Sequence, residues 1–111
     1  LGESLALCRR LGLDGKRLID ILGDTSGAPN VLKVRGAALA GAIDGVEPGQ
    51  TTFDVDSVRK DLRTMIEEGA ALGSTLPLAA QALACFDEAA QDGLGAKDCA
   101  LLPVRWSQRR R

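Results

Sequence analysis

The sequence predicts an all-α domain, built as an irregular antiparallel bundle of about six helices. Alanine and leucine, both strong helix formers, dominate a chain that is 45% hydrophobic and only 3% aromatic. Apolar residues recur at steps of three and four along most of the chain, and no period-two alternation is long enough for a strand. Turns rich in glycine and proline separate these periodic stretches. A length of 111 residues suits a single domain.

Three helices are predicted before residue 44. The first, ESLALCRRLGL, ends at Gly12. Asp14 is a candidate N-cap for the second, KRLIDIL, and Pro29 suits the first turn of the third, VLKVRGAALAGAI. Gly36 either weakens the third helix or lets another backbone approach closely. The predicted buried positions follow helical spacing: Leu5, Cys8, Leu11, Leu18, Ile21, Leu22, Leu32, Val34, Leu39 and Ile43.

Three more helices follow the loop DGVEPGQTT. Gly73 ends the fourth helix, and Thr75 is a candidate cap for the fifth, PLAAQALACFDEAAQ, which is apolar on most sides and so is predicted to be central. Asp98 is a candidate cap for the last, CALLPVRW, which Pro103 should shorten or kink. The fourth helix has an apolar stripe at helical spacing: Val55, Val58, Leu62, Met65, Ile66 and Gly69.

Composition excludes several classes of function. The net charge of −1 offers no basic field for nucleic acid, and the terminal cluster of arginines indicates a solvated end of the chain: Arg105, Arg109, Arg110 and Arg111. Three widely spaced cysteines form neither a disulfide framework nor a zinc site, which favours free thiols in the cytoplasm. No apolar run is long enough for a membrane helix. The absence of histidine excludes Ser-His-Asp and Cys-His catalysis and histidine-bound metals, so no metal site is predicted.

Three stretches are candidates for a binding site after this exclusion: GAALAG (36–41), GLG (93–95) and the pair Lys60–Asp61. GAALAG lacks the Lys-Ser/Thr of a phosphate loop, and GLG lacks the third glycine of a dinucleotide fingerprint, so both are interpreted as turn or packing glycines. Lys60 and Asp61 are adjacent near the start of the fourth helix. Spacing directs Lys60 away from the predicted buried face and places Asp61 on its border. Spacing alone favours two solvated charges over a pair that faces a cleft.

Five short motifs, in this order, connect the chain to a known family. They are ESLAL (3–7), GLD (12–14), Phe53 followed after six residues by KDL (60–62), GSTLP (73–77) and GLGAKD (93–98). From residue 3 to about residue 102, the sequence resembles the C-terminal domain of the β-hydroxyacid dehydrogenases. That family includes 3-hydroxyisobutyrate dehydrogenase, tartronate semialdehyde reductase and the glyoxylate/succinic semialdehyde reductases, with 6-phosphogluconate dehydrogenase as a distant relative.

The resemblance implies one half of a two-domain enzyme. Residues 1–111 would form the all-α substrate and dimerisation domain, and an N-terminal Rossmann domain, absent from this chain, would bind most of the NAD or NADP. The family's Lys-Asp pair implies that Lys60 contacts the cofactor and that Asp61 supports the site, while Phe53 lies near the substrate. The implied partners are the chain's own Rossmann domain, a small hydroxyacid or aldehyde, and a second copy in a homodimer.

The resemblance also implies that this chain carries no catalytic residue. The family's proton-transferring lysine lies in a G-x-G-x-x-K-x-x-N-N segment that should precede Glu3, so the chain alone is expected to be inactive. Its lysine would act as general acid or base during hydride transfer between nicotinamide and a 3-hydroxyacid or semialdehyde. Two alternatives stay open: a non-catalytic helical dimerisation module, and an imine reductase of similar architecture.

Overall fold

The computed structural model describes residues 1–109, and its regular elements are helices. Arg110 and Arg111 of the predicted terminal cluster lie outside these residues. The prediction of an all-α fold with six helices is confirmed. The α-helices are α1 (Gly2–Arg9), α2 (Gly15–Gly23), α3 (Val31–Ile43), α4 (Val55–Ala71), α5 (Pro77–Ala89) and α6 (Leu101–Gln108). A π-type turn (Ala90–Leu94), called the π-turn below, follows α5 and is kinked at Gly93, whose backbone is not helical. Within residues 1–109, no helix combines the length and apolar character needed to cross a membrane.

The chain folds as two compact units. Among the described residues, the first unit comprises 1–50 and 100–109, and the second comprises Thr51–Cys99. The first unit therefore contains α1, α2, α3 and α6, and the second contains α4, α5 and the π-turn.

The first unit has an aliphatic core. Its buried members come from all four helices or lie next to them: Leu5, Leu18, Ile19, Leu32, Leu39, Ala40, Ala42, Ala100 and Val104. Three predicted core positions are wrong, because Leu11, Ile21 and Val34 are 70%, 48% and 72% exposed. Leu11 lies beyond the end of α1 and so leaves the helical face. α2 buries Leu18 and Ile19 instead of Ile21, which lies on another side of this short helix.

Two glycines bring α2 and α3 together. A Cβ atom on Gly15 would stand 2.9 Å from the carbonyl carbon of Ala40, so the close backbone approach occurs there. Sequence analysis gave a close backbone approach as one of two explanations for Gly36. The neighbour of Gly36 is instead the Ile19 side chain, 3.2 Å from the place that a Cβ atom would take. The Gly15 N–H also donates a hydrogen bond to the Asp44 carboxylate at 2.9 Å. These contacts leave the α2–α3 junction little room for larger residues.

The predicted helix caps are confirmed at some ends and wrong at others. Asp14 accepts a hydrogen bond from the Arg17 N–H at 2.8 Å, as a capping aspartate should. α5 begins after Leu76 without a side-chain cap bond, so the cap at Thr75 is wrong. α6 begins after Ala100, two residues beyond the predicted cap Asp98. α6 is short, as its proline predicted, with eight residues.

In the second unit, α5 packs against α4 and the π-turn. The prediction that α5 is central is wrong: Ala89 is its one buried residue, and Leu78 is 86% exposed. An apolar composition built largely from alanine does not require burial on every side, since each alanine exposes little surface. On α4, Met65 is 52% exposed, so its place in the predicted buried stripe is also wrong. The buried residues of α4 are Val55 and Gly69.

Candidate functional site

The candidate site surrounds the start of α4, where Asp54 caps the helix. Asp54 has an extended backbone, and its carboxylate accepts a hydrogen bond from the Ser57 N–H at 2.7 Å. Hydrogen bonds from the side chain and then the backbone of Ser57 lower the pKa of Asp54 below its ordinary value. Val55, the first residue of the helix, is fully buried. The position at which α4 begins is therefore set by both a cap and a buried anchor.

Residues 95–99, which we call the strap, run along the start of α4. The Val55 N–H donates to the Lys97 carbonyl and the Asp56 N–H donates to the Gly95 carbonyl, each at 2.9 Å. The Cys99 N–H donates to the Phe53 carbonyl, also at 2.9 Å. The first N–H groups of a helix have no partner within the helix, so the strap supplies two of those that α4 needs.

The strap fits closely because Gly95 has no side chain. A Cβ atom there would lie 2.7 Å from Oδ2 of Asp56. Gly93, the first glycine of the same motif, has a φ of 88°, which an L side chain rarely adopts. Both glycines of GLG therefore have structural roles, as predicted. Asp98 is 2% exposed and forms an isolated antiparallel bridge with Asp54.

Four charged residues, which we call the ion cluster, join α4 to α5: Asp56, Arg59, Arg63 and Asp87. Nε of Arg59 is 2.7 Å from Oδ1 of Asp87, and its NH1 is 2.7 Å from Oδ1 of Asp56. Arg63 reaches the same oxygen of Asp87 at 3.0 Å. The hydrogen bond to Asp87, followed by that to Asp56, raises the pKa of Arg59 above its ordinary value. The Arg59 guanidinium thus stays charged while it bridges two carboxylates.

The three residues that the family resemblance selected all lie on or beside α4. Phe53 is 43% exposed and directly precedes the capping residue Asp54. Lys60 and Asp61 are exposed, and among residues 1–109 their charged groups make no hydrogen bond or ion pair. At about 100° per residue, Lys60 points about 160° away from the midpoint between the buried residues Val55 and Gly69, and Asp61 about 100°. Asp61 therefore lies farther from the buried face than the border position that spacing predicted.

The structure brings Phe53 and the GLGAKD segment together but leaves Lys60 and Asp61 unpaired with each other. The strap places GLGAKD beside the residues that follow Phe53, since Asp54 bridges to Asp98 and the Val55 N–H donates to the Lys97 carbonyl. Sequence reasoning missed the ion cluster. The three-residue spacing of Asp56 and Arg59 was a visible signal for part of it, but nothing in the sequence marked Asp87 as their partner.

The described residues do not form a complete binding site for a cofactor, although exposed side chains are available for a contact with one. Within residues 1–109 there is no strand that could lead into a phosphate-binding loop, and the GLG glycines serve the π-turn and the strap. The exposed ammonium of Lys60 is accessible to a polar or anionic group. In the same part of the chain, no group of three cysteine, aspartate or glutamate side chains is placed to hold a metal ion.

A comparison with protein families matches nearly the whole chain. The family described as the NAD-binding domain of NADP-dependent 3-hydroxyisobutyrate dehydrogenase matches residues 1–104. A search of curated proteins finds no match to this sequence. The family match covers α1 to α5 and the first half of α6, and it includes the strap, the ion cluster and Lys60.

Proposed function

Since the chain belongs to the family of the NAD-binding domain of NADP-dependent 3-hydroxyisobutyrate dehydrogenase, we propose that it serves an NAD(P)-dependent oxidoreductase as its C-terminal domain. The reaction is hydride transfer between nicotinamide and a small 3-hydroxyacid or semialdehyde. The nicotinamide supplies or accepts the hydride. The observation that carries the proposal is the family match over residues 1–104, together with an exposed, unpaired Lys60 on α4.

In this proposal, the chain forms the substrate side of a cleft. An N-terminal Rossmann domain of the full-length protein binds most of the cofactor, and a lysine upstream of Glu3 exchanges a proton with the substrate oxygen. Lys60 contacts the cofactor, Phe53 borders the substrate and Asp61 supports the site. The exposure of Lys60 and the 43% exposure of Phe53 support these roles, because a residue that meets another domain must be accessible on its own.

The proposal is tested with the full-length protein and the variant Lys60→Ala. Loss of a charged contact should raise the KM for NADH or NADPH about ten- to hundredfold, with little change in melting temperature. Lys33→Ala, another exposed lysine, is the matched control and should leave the kinetics unchanged. Unchanged kinetics in Lys60→Ala, or a full-length protein without an NAD(P)-binding domain, would refute the proposal. The 111-residue chain alone should not consume NADPH with small semialdehydes.

A second candidate function is a non-catalytic dimerisation module. Large apolar side chains on the second unit favour it, since Leu72 and Leu78 are 80% and 86% exposed. Exposed apolar side chains of this size are candidates for a surface that associates with another protein chain. Sedimentation and an NAD(P)H-dependent activity assay of the full-length protein together distinguish the two: an inactive dimer that Leu78→Ser dissociates supports the module, and an active enzyme supports the dehydrogenase.

A further inference from the structure

The start of α4 is held from two sides. On one side the strap pairs with the backbone of Phe53, Val55 and Asp56. On the other side Arg59 connects α4 to Asp87 on α5. The buried side chain of Val55 is the remaining anchor of the first turn. The side chains proposed to face the cleft, by contrast, are exposed, and those of Lys60 and Asp61 make no bond that anchors α4.

Arg59 is the residue that connects these two attachments. Its NH1 bonds the carboxylate of Asp56, whose backbone N–H donates to the Gly95 carbonyl of the strap. Its Nε bonds Asp87 on α5, and its side chain is only 24% exposed. Because Asp87 lies on α5, its ion pair with Arg59 resists rotation of α4 about its own axis, while the Asp56 carboxylate, one turn earlier on α4, fixes the direction of the guanidinium.

Arg63 offers a contrast within the same cluster. It bonds the same oxygen of Asp87, at 3.0 Å, but its side chain is 48% exposed and it has no bond to the strap side. An exposed ion pair of this kind contributes little to stability. A change at Arg63 should therefore leave the orientation of α4 almost unaltered.

We propose that Arg59 is a positioning residue for Lys60, an inference that rests on the proposed function. Arg59 precedes Lys60 directly on α4, so the rotation that Arg59 prevents would swing the ammonium of Lys60 away from the cofactor. The residue does not itself meet cofactor or substrate, because its guanidinium is occupied by Asp56 and Asp87. Misplacement by about 1 Å is enough to reduce catalytic efficiency about a hundredfold.

The test is a double-mutant cycle in the full-length protein, with kcat and KM measured for NADH and NADPH. Arg59→Met should lower kcat/KM for the cofactor at least tenfold in a background that keeps Lys60, and by less than twofold in a Lys60→Ala background. Arg63→Met is the matched control, with unchanged kcat/KM. Arg59→Lys should recover only part of the loss, because an ammonium cannot reproduce the fork of two hydrogen bonds.

The outcomes separate this inference from the proposed function. If Lys60→Ala has no kinetic effect, the proposed function fails and the inference fails with it. If Lys60→Ala impairs cofactor use but the Arg59→Met loss is the same in both backgrounds, Lys60 keeps its role and Arg59 is only a structural residue. Equal losses in Arg59→Met and Arg63→Met would likewise overturn the positioning role. Thermal melting of each variant confirms that the kinetics are measured on folded protein.

Discussion

Replacement of Gly15 by alanine tests the packing of α2 against α3. The new methyl would stand 2.9 Å from the Ala40 carbonyl carbon. The nearest atoms all belong to the Ala40 backbone in α3, so no flexible side chain can move aside. α2 must shift, and the 2.9 Å hydrogen bond from the Gly15 N–H to Asp44 is lost with that shift.

The expected cost follows from three terms. Overpacking in a close-packed site costs about 1–3 kcal/mol. Loss of the hydrogen bond costs about 1 kcal/mol. Alanine also lowers the conformational entropy of the unfolded chain, which stabilises the folded state by about 0.5–1 kcal/mol. This gain nearly offsets the loss of the hydrogen bond. Gly15→Ala should therefore lower the free energy of unfolding by about 1–3 kcal/mol, a large share of the total for a chain of this size.

Urea unfolding of the chain, followed by the fluorescence of its single tryptophan, measures this loss. Trp106 belongs to the same unit as Gly15, so it reports on the unit that is perturbed. The midpoint should fall by about 1 M. Gly23→Ala is the control in the same helix, since no atom lies within 4 Å of its added Cβ, and it should be neutral or slightly stabilising. Equal midpoints for the two variants would refute the close approach of α2 and α3.

Three further predictions concern the two units separately. Asp54→Asn should reduce the loss of stability on acidification. Because the pKa of Asp54 is lower in the folded state than its ordinary value of 3.8, the ionised carboxylate stabilises the fold at pH values above 3.8. That contribution is lost as the pH falls through the lowered pKa. Asp54→Ala should in addition lose the cap at neutral pH, and both are measured by melting temperature against pH. Gly73→Ala should cost about 1–2 kcal/mol in urea unfolding, because its φ is 74°. Leu39→Ala, 1% exposed, should cost about 2–5 kcal/mol, whereas Leu78→Ala, 86% exposed, should change stability by less than about 0.5 kcal/mol; similar losses for both would contradict the described core.

The sequence was sufficient for the fold class because the helical signals are local. Apolar periodicity, the Asp14 cap and the turn glycines depend on neighbours a few residues away, and the structure keeps them. Burial was harder to predict, because it depends on which side of a helix meets another helix. Val34 and Met65 fit a helical stripe, yet each lies on a face that no other described helix of its unit covers.

In the candidate site, too, features that depend on distant parts of the chain could not be predicted from local sequence. Lys60 and Asp61 were recognisable only through family resemblance, and their exposure agrees with the outward direction that spacing predicted for Lys60. The strap was not predictable from local pattern, since it joins backbone groups that are far apart in the chain, such as Cys99 and Phe53. The contact of Asp87 with Arg59 was likewise not predictable from local sequence, because only the packing of α5 against α4 brings the two residues together.

The hydrogen bond between Cys99 and Phe53 also has a topological consequence. The second unit is entered and left at neighbouring points, while the first unit is interrupted between residues 50 and 100. A helical hairpin with adjoining ends can be exchanged or resized without stretching the chain that hosts it. A graft of α4 and α5 into a different scaffold would thus need to carry the strap, since that short segment closes the insertion.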